Sequence, residues 1–228
     1  MTTRPRAVVC WSGGKDSALA LWKTRLDHDI VGLVTTLTAD FDRVSMHGVR
    51  RELVKRQAAA LGLPLHVVTV CRPCTNEIYE ERMRAALDRL YRQGVEKVIC
   101  GDIFLEDVRR YREERLLRPG SGVFPLWGAD SRALMHEFLT SGFRAVLCCV
   151  DTHQVPASLA GRMLDADLLR DLPAHADPCG ENGEYHSFVC AGPPFAHPIA
   201  VELGERVLRE DRFMYCDLTP VAGPVNRG

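Results

Sequence analysis

The sequence predicts an α/β protein with a doubly wound, mainly parallel sheet and a smaller C-terminal α+β domain. Short apolar runs rich in β-branched residues alternate with longer segments whose apolar positions recur every three to four residues. This alternation is typical of a parallel sheet covered by helices. After about Trp127 the turns become denser in glycine and proline. We therefore predict two domains, at 1–127 and 128–228.

The first domain contains five predicted strands separated by four predicted helices. The strands are Ala7–Trp11, Ile30–Thr36, Leu65–Val70, Lys97–Cys100 and Val123–Leu126. The helices are Ser17–Leu26, Val49–Leu61, Asn76–Gln93 and Leu105–Leu117. If the strand order is 3-2-1-4-5, the loops after the first and fourth strands flank one crevice at the carboxyl edge of the sheet.

The second domain gives a weaker pattern. Ala145–Val150 is apolar and β-branched, and Ile199–Leu208 alternates in polarity, so both are predicted strands. The residues after Pro220 are expected to be loose, as chain ends often are.

The composition is that of an ordinary globular protein and excludes several classes. Of the 228 residues, 46% are hydrophobic and 26% charged, and the net charge is −1. No global field would recruit nucleic acid or an anionic membrane. The nine cysteines are an odd number scattered through apolar runs, unlike a secreted disulfide framework. No apolar run approaches the roughly 18 residues that span a bilayer. We expect a cytoplasmic protein without membrane contact.

The stretch Ser12–Ser17 reads SGGKDS and lies between the first strand and the first helix. The N-terminus of a helix after a glycine-rich turn binds anions, because backbone N–H groups and the helix dipole point at the ligand. Gly13 and Gly14 would let the backbone approach a phosphate closely. The hydroxyls of Ser12 and Ser17 would add donors.

The charged pair in this loop suggests a nucleotide with a metal ion. Lys15 supplies a positive charge for a phosphate oxygen. Asp16 would repel phosphate, so we expect it to hold Mg²⁺. A Walker P-loop is excluded, because Val9 stands where its first glycine belongs and Asp16 where its Ser/Thr belongs. The alternative from the residues alone is a Gly-Gly turn before a capped helix.

SGGKDS after a first strand resembles the PP-loop of the ATP pyrophosphatases, a group with a HUP-type nucleotide-binding domain. Other segments resemble one branch of that group, the diphthine–ammonia ligase family. These segments are MHGV at Met46–Val49, GDIFLEDVRRYRE at Gly101–Glu113, FPLW at Phe124–Trp127 and DPCGENGEYHSF at Asp177–Phe188. The loop alone marks only the superfamily, whereas its combination with GENGEYH is much more specific. Ser187 stands where the family more often has threonine and keeps the hydroxyl.

The resemblance implies a reaction. ATP would be cleaved between its α and β phosphates to give a carboxyl-adenylate, which ammonia converts to an amide. In the family the acceptor is diphthine, a modified histidine of an elongation factor; a small-molecule carboxylate is the alternative. Typical domains have about 100–150 residues, which leaves no room for a glutaminase domain. The oligomeric state stays open, with a homodimer as one possibility.

The resemblance also implies site residues. Gly101 and Asp102 would join Ser12–Ser17 around ATP, together with Thr36 and His47. A turn carrying two carboxylates, an amide and an imidazole would handle ammonia and the acceptor. With Lys15 and Asp16, the expected catalytic residues are therefore Glu181, Asn182, Glu184 and His186. Alone, this turn would read as an ordinary polar loop.

Two further patterns leave alternatives open. Cys71-Arg-Pro-Cys74 follows a predicted strand, and some PP-loop enzymes transfer sulfur to tRNA, so a tRNA sulfurtransferase is the second hypothesis. A nucleotide-binding regulator without chemistry is the third. The arginines within 109–118 are interleaved with acidic residues, which is typical of a solvated helix and not of a nucleic-acid site.

Overall fold

The computed structural model describes residues 4–45 and 47–221, which form two sheets. In the first sheet, β4, β2, β1, β5 and β6 lie side by side and pair in parallel, which is the order assumed above and confirms the α/β class. Its strands are β1 (Arg6–Cys10), β2 (Asp29–Thr38), β3 (Arg43–Val44), β4 (Leu65–Val70), β5 (Lys97–Ile99) and β6 (Gly122–Val123). Its helices are α1 (Lys15–Thr24), α2 (Arg51–Leu61), α3 (Asn76–Arg92) and α4 (Glu106–Tyr111).

The short strand β3 is absent from the sequence prediction. It pairs antiparallel with the end of β2. Just after β1, the N–H of Trp11 donates to Val34 O of β2. Just after β3, the N–H of Ser45 donates to Thr36 O, which lies two residues further along β2. Strands β1 and β3 therefore pair one after the other with the same edge of β2. Two paired residues are too few to show a strand period. The consequence is that the chain after β3 lies directly beyond the end of β1.

The predicted helix Leu105–Leu117 is divided in the structure. After α4 the backbone forms a π-helical turn at Arg112–Leu116. Such turns insert one residue into the helical repeat and occur frequently at functional sites. Hydrophobic period does not reveal them, so the sequence predicted one continuous helix.

The second sheet is antiparallel, in the order β8-β7-β10-β9. The predicted strands Ala145–Val150 and Ile199–Leu208 fall within it, whereas β8 and β10 were not predicted. Of the residues after Pro220, only Val221 is described; its N–H donates to Ala200 O, and the rest lie outside the described residues. The strands are β7 (Arg144–Asp151), β8 (Tyr185–Ala191), β9 (Val201–Arg209) and β10 (Phe213–Pro220), with helices α5 (Ser131–Thr140) and α6 (Ala166–Asp171).

One hydrophobic core runs through both sheets. Trp11 and Leu53 of the first sheet region belong to the same buried cluster as Val146, Phe188 and Leu218 of the second. Because the two regions share this core, it does not mark a boundary between them, and the domain boundary after Trp127 stays a prediction. Within the described residues, no helix has the length and apolar character needed to span a membrane.

Asp151 is a buried carboxylate of the second sheet and forms an ion pair with Arg212. It lies at the end of β7 with 1% of its surface exposed. Its Oδ2 accepts hydrogen bonds from Arg212 Nε at 3.0 Å, Arg212 Nη2 at 2.6 Å and Gln154 Nε2 at 2.9 Å, and Oδ1 accepts from His153 N at 3.0 Å. The Arg212 hydrogen bonds, above all, hold the pKa of Asp151 at about 2, below its ordinary 3.8.

We predict that Asp151→Ala lowers the free energy of unfolding by about 3 kcal/mol, because it removes a buried carboxylate that accepts four hydrogen bonds, two of them from Arg212. Urea titration measures this loss. The control is Asp171→Ala, which removes an exposed ion pair with Arg162 and should cost at most about 1 kcal/mol. Since the folded pKa of Asp151 is depressed, its stabilisation is present above pH 3.8 and is lost as pH falls towards 2. Equal losses for both variants would contradict this role.

Candidate functional site

The loop between β1 and α1 has the backbone of an anion cradle. Gly13 has a φ of +82°, in the left-handed region that glycine favours. Gly14 is the N-cap of α1, with extended backbone and no side chain of its own to accept a hydrogen bond from the first turn. A Cβ on Gly13 would lie 2.8 Å from Gln57 Oε1, so a side chain would not fit there. Apart from Lys15 N, which donates to Ser187 Oγ, the first turn of α1 is suited to binding an anion through its backbone N–H groups.

The two serines of the loop hold its own backbone. Ser12 Oγ accepts a hydrogen bond from Gly14 N at 3.2 Å. Ser17 Oγ donates to Gly14 O at 3.0 Å and lies 3.4 Å from Ser12 Oγ. In this conformation the Ser17 hydroxyl donates its hydrogen bond to the loop backbone, although we expected it to donate to a ligand.

Lys15 is a buried cation. Its side chain is 5% exposed, and its Nζ lies 2.9 Å from Asp16 Oδ2 and 5.1 Å from the centre of the Tyr185 ring. Burial opposes the charge, but the attraction of Asp16 and Tyr185 outweighs it and raises the pKa of Lys15. Burial also raises the pKa of Asp16, against the opposing effect of Lys15. Lys15 therefore remains an ammonium group inside the site.

The loop after β5 packs directly against this pair. A Cβ on Gly101 would lie 2.8 Å from the carbonyl carbon of Asp16 and 2.9 Å from its oxygen. Asp102 follows, and its Oδ1 accepts a hydrogen bond from Arg112 Nε at 3.1 Å. The π-helical turn supplies this arginine. The expected meeting of the two loops is thus present, with Gly101 where only glycine fits.

The acidic groups here fit a magnesium ion. Asp102 Oδ2 lies 2.9 Å from Arg112 Nε but accepts no hydrogen bond from the described residues. Asp102 is close enough to Asp16 for its negative charge to add to the effect of burial, which is the main cause of the raised pKa of Asp16. No cluster of three metal-ligating side chains occurs among residues 4–45 and 47–221. Mg²⁺ typically binds one or two carboxylates and takes its other ligands from phosphates and water.

Strand β8 brings the GENGEYH segment to the loop. The N–H of Val189 donates to Gly13 O at 2.9 Å, and Lys15 N donates to Ser187 Oγ at 3.1 Å. These contacts join residues about 170 positions apart along the chain. The turn that precedes β8 is therefore held beside Lys15.

That turn is tied together by two carboxylates. Asp177 Oδ2 accepts from Cys179 N at 3.1 Å and from Glu181 N at 2.9 Å. Glu184 Oε1 accepts from Asp177 N at 2.7 Å and from Asn182 Nδ2 at 3.2 Å. Glu184 is 1% exposed, and its Oε2 has no hydrogen-bond partner in the described part of the chain. Glu184 shapes the turn from inside.

The Glu181 side chain extends from the turn to the loop after β5. Its Oε1 accepts a hydrogen bond from Ile103 N at 2.9 Å, which links the turn to the loop after β5. Burial raises the pKa of Glu181 to about 7, against the opposing hydrogen bond from Ile103. A carboxyl group that exchanges its proton near neutral pH is suited to acid–base catalysis.

Two histidines stack beside Lys15. The ring centres of His47 and His186 are 4.5 Å apart, and the rings are tilted by 36°. Burial, followed by the positive charge of Lys15, lowers the pKa of His186 to about 4. Burial, followed by the effects of His186 and Lys15, lowers the pKa of His47. Both imidazoles are neutral at pH 7. His47 arrives here because β3 extends the β1 edge.

Some predicted residues contribute less directly. Asn182 is exposed and reaches only Glu184 with its side chain, while its carbonyl accepts from Gln154 Nε2. The Thr36 hydroxyl is engaged with Tyr79. Met46 lies outside the described residues. Cys71 and Cys74 follow β4, which β2 separates from β1 and its loop.

Three site residues escaped sequence reasoning. Gln57 lies on the inner face of α2, where the period alone suggested a core position. Tyr185 and Ser187 are in a matched segment, but nothing in one sequence indicates that β8 reaches the loop. Four arginines in and after α4 form ion pairs, as expected of a solvated helix, and of these Arg112 belongs to the site through Asp102; they are Arg109, Arg112, Arg115 and Arg118.

Comparisons with known proteins find relatives along most of the chain. A protein named diphthine--ammonia ligase from Danio rerio is 28% identical, with 90% of each chain covered. Its namesake from Homo sapiens is 26% identical over 89% of this chain and 85% of that protein. A solved structure described as a predicted subunit of tRNA methyltransferase from Methanocaldococcus jannaschii is 18% identical, with a TM-score of 0.42 over 63% of this chain and 80% of that chain.

Two family descriptions account for most of the sequence. Residues 5–121 match the diphthamide synthase N-terminal domain, and residues 130–219 match the diphthamide synthase C-terminal domain. The matched ranges contain the SGGKDS loop and the GENGEYH turn, the two segments that β8 brings into contact. The chain therefore belongs to the diphthamide synthase family.

Proposed function

We propose that the chain is an ATP-dependent ligase that adenylates a carboxylate and transfers ammonia to it, releasing AMP and pyrophosphate. The observation that carries this proposal is the junction of the SGGKDS loop and the GENGEYH turn through Gly13, Lys15 and β8. It unites an anion cradle with a set of acid–base groups. The names of the relatives support the same reaction class.

In the first half-reaction, a carboxylate oxygen attacks the α-phosphorus of ATP, and the bond to the β-phosphate oxygen breaks. The products are an acyl-adenylate and pyrophosphate. The N-terminus of α1 and the Lys15 side chain bind the phosphates, because both present positive charge in a buried site. Asp16 and Asp102 would hold Mg²⁺, which supplies charge neutralisation for the phosphates.

In the second half-reaction, ammonia attacks the acyl carbon, the bond to AMP breaks, and one proton must leave the nitrogen. We assign the acceptance of this proton to Glu181, whose pKa of about 7 allows it to act near neutral pH. His47 and His186 are neutral, so they can accept hydrogen bonds without repelling an ammonium-like nitrogen. Glu184 holds the turn in place, since Asp177 and Asn182 already occupy its Oε1.

For the acceptor we propose the substrate in the names of the relatives, diphthine, which the resemblance places on an elongation factor. A small-molecule carboxylate is the alternative. Ammonia would be free or supplied by a partner.

We predict that the chain releases AMP and pyrophosphate when given ATP, ¹⁵N-labelled ammonium and the diphthine-bearing elongation factor, and that ¹⁵N appears in a new amide. Chromatography identifies the nucleotides, and mass spectrometry locates the label.

Lys15→Ala should lower turnover at least tenfold, as one charge-assisted phosphate contact contributes about 1.5–3 kcal/mol.

The matched control is Lys23→Ala, on the same helix but in an ion pair with Glu137 at the surface. It should keep wild-type turnover. ADP as the main product would refute adenylation, and ATP binding without any pyrophosphate release would favour the regulator hypothesis.

We predict that Glu181→Gln lowers the rate of amide formation by about 10²–10⁴-fold, because glutamine cannot accept the proton. ATP binding, measured by calorimetry, should change little. Glu184→Gln keeps the acceptor oxygen for Asp177 and should lose less than tenfold in rate. The opposite ranking of the two variants would assign the role of proton acceptor to Glu184 and contradict its assignment to Glu181.

The same Glu181→Gln variant should be more stable than the wild type at alkaline pH. The folded pKa of about 7 lies above the ordinary 4.5, so the contribution of Glu181 to stability is present below pH 4.5 and is lost as pH rises through 7. At pH 8 we expect a gain of about 1 kcal/mol, reduced by solvent screening, and at pH 4 none. Urea titrations at the two pH values measure this difference, and a gain that is independent of pH would contradict it.

We predict that replacing Cys71 and Cys74 together with serine changes ligation less than about tenfold, or 1.4 kcal/mol. The thiols follow β4, away from the β1 loop. Amide formation and thermal unfolding of the double variant are the measurements. A larger loss in a folded protein would support the sulfurtransferase hypothesis.

A further inference from the structure

Gln57 is a fully buried polar side chain with every hydrogen-bonding group engaged. It lies on α2 with 0% of its surface exposed. Its Nε2 donates to Gly13 O at 3.0 Å and to Val189 O at 2.7 Å, and its Oε1 accepts from Trp11 Nε1 at 2.9 Å. Burying an amide is costly unless it is satisfied, so a position with three matched partners is strongly specified.

The partner that matters most is the Gly13 carbonyl. It accepts from Gln57 Nε2 and from Val189 N, which occupy both of its lone pairs. In a trans peptide the carbonyl of Gly13 and the N–H of Gly14 point in opposite directions. Fixing the carbonyl towards α2 and β8 therefore turns the Gly14 N–H to the opposite side, towards the inside of the SGGKDS loop, where it donates to Ser12 Oγ at 3.2 Å.

A reversed Gly13–Gly14 peptide would present an oxygen to a phosphate and repel it. Gly13 has no side chain to resist this rotation, and its positive φ is compatible with several loop conformations. The resistance must come from outside the loop. Gln57 and Val189 are the described groups that hold the carbonyl, and Gln57 bonds to Val189 as well.

We infer that Gln57 is a positioning residue, which locks the Gly13–Gly14 peptide in its phosphate-binding orientation and links that orientation to strand β8. The inference rests on the proposed function, because it assumes that the SGGKDS loop binds the phosphates of ATP. Gln57 acts through the backbone and touches no reacting atom. Replacing Gln57 should therefore weaken the binding of ligands that carry phosphates and leave the binding of a nucleoside unchanged.

The test compares three probes, ATP, inorganic pyrophosphate and adenosine, by calorimetry on the full chain. Gln57→Met keeps the length of the side chain and removes all its hydrogen bonds. We expect its affinity for ATP and pyrophosphate to fall at least tenfold and its affinity for adenosine to stay within twofold. An equal loss for all three probes, or none for ATP in a folded variant, would overturn the inference.

Thr24→Val is the matched control. It removes a buried hydroxyl of α1 that donates to Ala20 O at 2.7 Å, on the helix that begins at the loop but far from Gly13 along it. This variant should lose stability without a preferential loss of phosphate affinity. If Thr24→Val lost affinity for ATP and pyrophosphate but not for adenosine, general destabilisation around α1 would be enough to weaken phosphate binding, and the inference would fail.

A second variant covers the case in which Gln57→Met does not fold. Gln57→Glu keeps the acceptor for Trp11 Nε1 but, when ionised, cannot donate to Gly13 O. Protonation would restore one donor, so ATP affinity relative to the wild type should recover at pH 5.5 compared with pH 8. The absence of recovery would count against the inference. If the wild type itself binds neither ATP nor pyrophosphate, the proposed function fails and the inference with it.

Discussion

The carbonyl oxygen of Gly13 is the point on which the two halves of the site depend. It receives one hydrogen bond from helix α2 and one from strand β8, so a single peptide group is held both by a helix beside the first sheet and by a strand of the second. Because Lys15 N also donates to Ser187, the start of α1 is fixed against the same strand. The SGGKDS loop and the turn before β8 therefore cannot move independently without breaking buried hydrogen bonds, each of which is costly to leave unpaired.

Burial sets the chemistry of the groups around this junction. The ammonium of Lys15 persists because Asp16 and Tyr185 compensate for the loss of water. The same positive charge, added to burial, keeps His186 neutral, whereas burial raises the pKa of Glu181 to about 7. Titratable groups a few ångströms apart thus acquire different protonation states at one pH. Such divergence is how one site can combine a fixed charge with a proton acceptor.

Sequence patterns were most informative where the chemistry is local. The SGGKDS loop predicted an anion site because glycine, lysine and a helix start are adjacent in the chain. The alternation of strands and helices followed from the apolar periods, which strand length and β-branching make visible in β2 and β4, whereas the strand order was only assumed. The π-helical turn at Arg112–Leu116 and the two-residue β3 left no such trace, because neither changes the hydrophobic period over enough residues. His47 could consequently be associated with the site only through the family resemblance.

The sequence by itself determined the parallel sheet, the position of its glycine-rich loop and the family to which the chain belongs. Only the tertiary structure decided that β8 completes this loop, that Gln57 holds it, and that Glu181 and Glu184 have different surroundings. The reason is physical: hydrogen bonds between residues 44 to 172 positions apart, and the desolvation that shifts a pKa, depend on what surrounds a group in space. Two glutamates three positions apart in one short turn are equivalent as letters, and packing alone makes one of them a turn-forming acceptor and the other a titratable acid.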